Sequence, residues 1–148
     1  MAVYKHILVA IDFSENSFKA LKKAKQLALE SQAKIELIYV LDIPIYPVLE
    51  DLAVMGMPGL WDDEVANKLM AISTEKLKKI ADKYGVDDYK TIEGIASSEI
   101  TVIANVNKVD LIVMGFHGLS GFRKLIGSTT HSVINNAPCD VLAIKLDC

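Results

Sequence analysis

The stretch from Gly115 to Thr130 reads Gly115-Phe-His117-Gly118-Leu-Ser-Gly121-Phe-Arg123-Lys124-Leu-Ile-Gly127-Ser128-Thr129-Thr130. Four glycines in thirteen residues leave backbone N–H groups uncrowded and open to close approach by a ligand. Gly127-Ser128-Thr129 opens a helix, whose free amides and dipole favour an anion, and Ser128 and Thr129 add hydroxyl donors. From Leu111 through Cys139 there is no Asp or Glu, while Arg123 and Lys124 are present. The chemistry to expect is the cradling of a phosphate-sized anion. The pattern is not Gly-x-x-x-x-Gly-Lys-Ser/Thr, and its position after the fourth strand excludes a dinucleotide fingerprint. His117 is within reach of such a phosphate, although a lone loop histidine is more often simply exposed. Asp12, at the end of the first strand, can accept hydrogen bonds from a nucleoside or else cap the next helix beside Ser14.

Turnover has less support than binding. His6, His117 and His131 lack metal-ligand spacing with cysteines or carboxylates, so no metal site is expected. No Gly-x-Ser-x-Gly nucleophile elbow occurs. Cys139 reads as a small core residue and Cys148 as an idle thiol. Phosphoryl transfer needs a metal ligand and a positioned nucleophile, and Asp12 is the only nearby carboxylate. No catalytic residue is assigned.

Alternating strands and helices must hold these groups. Lys5 to Ile11 reads as a strand, and Ser14 as the N-cap of a helix to about Ser31 with Phe18, Leu21, Ala24 and Ala28 inward. Lys34 to Val40 is a second strand. Asp62 to Tyr84 is a helix stopped by Gly85, and Asp88 to Glu93 is a weak, polar strand suited to a sheet edge. Ser97 or Ser98 caps a short helix carrying Ile100, Ile103 and Ala104. Val109 to Gly115 is a continuous apolar strand, Ser128 to Asn136 a helix broken by Pro138, and Val141 to Ile144 a last strand. Near-continuous apolar strands between helices specify a parallel sheet covered on both faces, with 2-1-3-4-5 and its relatives as candidate orders. The apolar stretch 42–60, broken by Pro44, Pro47 and Pro58, reads as a lid, an interaction surface or irregular core cover.

The whole chain suits one domain, 1–148, with 51% apolar and 24% charged residues. A net charge of −3 argues against a general nucleic-acid binder. Mean hydropathy is +0.29, yet no apolar run approaches the roughly 18 residues of a membrane span. With no signal-peptide layout and two sparse cysteines, the expected compartment is the cytoplasm.

Three stretches carry a resemblance to the universal stress protein (UspA-like) family. They are His6-Ile-Leu-Val-Ala-Ile-Asp12-Phe-Ser14, the strand ending at Val40, and Val113-Met-Gly115-Phe-His-Gly118 through Gly127-Ser128. The match continues through Pro138-Cys-Asp-Val-Leu-Ala-Ile-Lys145. The resemblance implies a three-layer α/β/α, flavodoxin/Rossmann-like fold of the adenine nucleotide alpha hydrolase-like kind. Its five-stranded parallel sheet would run 3-2-1-4-5. The family's nucleotide-binding branch shows Gly-x2-Gly-x9-Gly-Ser/Thr; here Gly115-x2-Gly118 is followed by eight residues before Gly127-Ser128. By resemblance, Asp12 and the backbone of Val40 hold adenine or the nucleoside, and Gly115 borders the ribose. Gly118, Gly127, Ser128 and Thr129 then cradle the phosphates of ATP, with or without Mg2+. The implied assembly is a homodimer through Val141, Leu142, Ala143 and Ile144, and the implied role a nucleotide-binding regulatory module in stress response. The alternatives are a dimer of the same fold acting through protein contacts alone, and a slow nucleotide hydrolase.

Overall fold

In the computed structural model, residues 3–42, 63–117 and 126–145 are described. Five strands, β1 (His6–Ala10), β2 (Lys34–Asp42), β3 (Asp88–Gly94), β4 (Leu111–Gly115) and β5 (Asp140–Ile144), form one sheet in the order β3-β2-β1-β4-β5. Every neighbouring pair is parallel. The described helices are α1 (Glu15–Ser31), α2 (Asp63–Tyr84), α3 (Ala96–Val106) and α4 (Ser128–Asn136).

Alternation along each strand divides the core in two. Ile7, Val9, Leu37, Leu111 and Val113 face α1 and α2, where Leu21, Ala24, Leu77 and Ala81 meet them. Leu8, Ile38, Val40, Ile112 and Met114 face Ile100 and Ala104 of α3 and Val133 of α4. Ile7, Leu8, Val9, Ile112 and Val113 are wholly shielded from solvent, which explains why β1 and β4 are apolar without interruption. Burying each such side chain contributes roughly 1.5–3 kcal/mol.

The order 2-1-3-4-5 is not the one adopted. It would set β2, with Leu37, Ile38 and Val40 buried, at an edge and bring the polar β3 inside. In the observed order β2 is flanked on both sides and β3 takes the edge. β2 also runs two residues past Val40, pairing Leu41 with Glu93 and Asp42 with Gly94. The long apolar stretch after β2 lies outside the described residues from position 43 to 62.

Helix ends follow local chemistry with one exception. Ser14 caps α1, its Oγ accepting from the Ser17 amide at 3.1 Å. Gly85 follows α2 at φ +67°, the left-handed conformation that glycine reaches without penalty. Neither Ser97 nor Ser98 caps α3, because the helix begins at Ala96, before both of them. The donor at its start is satisfied from another element: Asp42 Oδ1, at the end of β2, accepts from the Ala96 amide at 3.0 Å. No described helix is long and apolar enough to cross a membrane.

Candidate functional site

After β3 the chain returns across the sheet, so β1 and β4 become neighbours although they are far apart in sequence. The loops leaving them diverge to helices on opposite faces, and a crevice opens at their carboxyl ends. A cavity of about 490 Å³ fills that crevice. Asp12, Val40, Gly115, His117, Gly127, Ser128 and Thr129 all line it. Gly118 lies outside the described residues.

Asp12 ends the exit from β1. Its Oδ1 accepts the Ser14 amide at 2.9 Å and also the Ser14 hydroxyl, an Asx turn that feeds α1. Among the described residues Oδ2 has no hydrogen-bond donor. Both readings of Asp12 are thus compatible, one per oxygen. The turn forces Phe13 to φ +63°, a left-handed conformation that L-residues adopt at a cost of about 1–2 kcal/mol. The Phe13 ring meets Tyr39 of β2 at a tilt of 42°, with centroids 4.6 Å apart. Burial, ahead of the negative charges of Asp42 and Asp12, pushes the Tyr39 hydroxyl above its ordinary pKa, while a hydrogen bond with Ser73 acts the other way. The Tyr39 ring packs against the α1–α2 core, on the opposite face of β2 from Ile38 and Val40.

The exit from β4 is held by three elements. Asn16, in the first turn of α1 and 1% exposed, accepts the His117 amide on Oδ1 at 2.7 Å. Its Nδ2 donates to the Ile144 carbonyl at the end of β5, at 2.6 Å. The Phe116 amide donates to that same carbonyl at 2.8 Å. Thr130 Oγ1 of α4 donates to the Gly115 carbonyl at 2.8 Å. His117 is consequently not an exposed loop residue: it is 6% exposed, with its ring edge-on to Phe116. Gly115 also has a reason not visible in its motif. A Cβ there would stand 2.8 Å from Asn16 Oδ1, so the missing side chain makes room for Asn16.

The opposite wall is the amino end of α4. Gly127 is its N-cap and offers no side chain to the first-turn amides, and that turn contains no acid. The Gly127 amide is itself bonded to the Phe116 carbonyl at 2.8 Å. The cavity is therefore asymmetric in charge, with Asp12 and Asp42 on the β1–β2 side and the positive end of a helix dipole on the α4 side.

Among the described residues no group of three or more His, Cys, Asp and Glu is placed to hold a metal. His6 meets buried Glu36 at 3.1 Å, and the Asn107 carboxamide donates to both Glu36 oxygens, but this cluster closes the other end of the sheet. Cys139 is half-buried against the α3–α4 core, and burial pushes its thiol up, away from the reactive thiolate.

Asn16, Asp42 and Thr130 escaped the sequence reading. For Asn16 a signal existed, since it is a carboxamide on the inward stripe of Ala20 and Ala24. For Asp42 there was none, because its partner lies 54 positions away.

A family model described as Universal stress protein family matches residues 3–145. A universal stress protein of Methanocaldococcus jannaschii is 35% identical over 149 residues, covering 97% of this chain and 83% of that one. Among solved structures, the hypothetical protein MJ0577 superposes with a TM-score of 0.77 at 30% identity over 98% of both chains. A universal stress protein in complex with cAMP shares the fold, with a TM-score of 0.66 at 23% identity over 99% of this chain and 100% of the other.

Proposed function

The chain belongs to the universal stress protein family, and from that premise we propose that it is a cytoplasmic, homodimeric regulatory module that binds an adenine nucleotide, ATP foremost. The observation that carries this reading is the polarity of the cavity: hydrogen-bond acceptors on one wall, uncapped helix amides on the other. A nucleotide has the matching asymmetry. Its base and sugar carry donors, and its phosphates carry the negative charge. In this reading Asp12 Oδ2 and the Val40 backbone receive the nucleoside, and Gly115 borders the ribose. The phosphates then lie against Gly118, Gly127, Ser128 and Thr129, beside His117. About 490 Å³ falls within the usual range for a small-molecule site. The cAMP complex is an instance of this fold holding an adenine nucleotide.

Mg2+ would enter on the phosphates, since this ion keeps water and phosphate oxygens as its main ligands. Binding, not turnover, is the proposed role, and any phosphate release is expected to be slow. Assembly would use the free edge of β5, Val141-Leu-Ala-Ile144, which carries no charge to discourage pairing with a second copy.

Titration calorimetry of the purified protein with ATP and magnesium tests the reading. One nucleotide per chain is expected, with affinity reduced in Asp12→Ala. The absence of any heat at millimolar ATP would overturn it.

A further inference from the structure

We infer that Asn16 is the positioning residue for the phosphate side of this site, setting the exit from β4 without touching ligand. The inference rests on the nucleotide reading above. Asn16 lies in α1, outside the glycine-rich stretch, yet its buried carboxamide serves that stretch at two points and ties it to β5. Oδ1 takes the His117 amide at 2.7 Å. The same end of the side chain fills the space where Gly115 lacks a Cβ, which would fall 2.8 Å from Oδ1 and 2.9 Å from Cγ. Nδ2 anchors the group to the Ile144 carbonyl at 2.6 Å. The turn at Phe116–His117, whose Phe116 carbonyl takes the Gly127 amide at the start of α4, is thereby referenced to α1 and β5 together.

The nucleoside wall has separate supports. Asp12 is oriented by Ser14, while Val40 and Gly115 are fixed by strand pairing with Ile92 of β3 and Ile144 of β5. Removing the carboxamide should therefore disturb phosphate recognition and leave nucleoside recognition alone. A general loss of structure would not divide the ligand in this way.

The test compares ATP and adenosine binding by calorimetry in wild type, Asn16→Ala and Asn16→Ser. Wild type is expected to bind ATP more tightly than adenosine. Asn16→Ala should weaken ATP about tenfold, as for a lost buried hydrogen-bonding group, with adenosine within about twofold. Asn16→Ser, whose shorter side chain cannot span from the His117 amide to the Ile144 carbonyl, should show the same division and supplies the test if Asn16→Ala does not fold. Amide exchange at His117, without ligand, should quicken in Asn16→Ala while Val9 and Val113 keep wild-type protection. Equal losses for ATP and adenosine, or ATP affinity unchanged in both variants, overturn the inference and leave the nucleotide reading standing. A wild-type protein that binds neither ligand overturns the reading itself, and the inference with it.

Discussion

Asp12 shows how one side chain serves fold and site together. Oδ1 is committed to the Ser14 amide and hydroxyl, and this fixes the direction in which Oδ2 points. The two duties can be separated by substitution. Asp12→Asn retains an oxygen for the turn and is expected to melt close to wild type, while losing nucleotide affinity with its charge. Asp12→Ala removes the turn as well and should lower stability by about 1 kcal/mol, a few degrees in Tm for a domain of this size. Thermal melts of both variants without ligand check this; an Asp12→Ala protein as stable as wild type would show that the turn holds nothing. That Asp12 and Gly127, Ser128 and Thr129 would line one cavity was readable from the glycine-rich stretch and the family resemblance. The burial of His117 was not, because it depends on a carboxamide 101 positions earlier in the chain.

Among the elements, α3 gives the clearest case of a boundary set by tertiary structure. Two serines near its start suggest a local cap, yet the helix starts ahead of them and takes its acceptor from Asp42 on β2. Asp42→Ala is expected to destabilise the protein by about 1 kcal/mol, as loss of an N-cap does, with faster amide exchange confined to the first turn of α3. Exchange spread evenly over the molecule would assign Asp42 a different role. The strands were legible because β1, β2 and β4 are short apolar runs whose two faces are both covered. α1 was legible because Ser14 and its apolar stripe act within a few residues of each other. Interactions between distant residues leave no such local mark, and the start of α3 depends on one.

For the molecule as a whole, the sheet order followed from which strands can bear an edge, and its polar edge, β3, was visible in advance. The other edge, β5, is the proposed dimer contact. Within β5 the Ile144 carbonyl points toward β4, since it accepts from Phe116, so the neighbouring Ala143 directs its N–H and C=O outward. Leu142 packs against the α1–α2 core, and a charge there would disturb the monomer too. Ala143→Pro is the cleaner probe, because it deletes an outward donor and no bond to β4. It should convert the dimer to a folded monomer by light scattering with unchanged circular dichroism; a dimer that persists would move the contact elsewhere. One further feature bears on how such chains diversify. The amide-to-carbonyl clasp between Gly127 and Phe116 joins the two ends of the intervening stretch beside the crevice. Closing such a stretch depends only weakly on its length, with each doubling costing about 0.6 kcal/mol. With Phe116 and Gly127 as fixed posts, the chain length between them can therefore change by a residue at little cost while strand and helix keep their places.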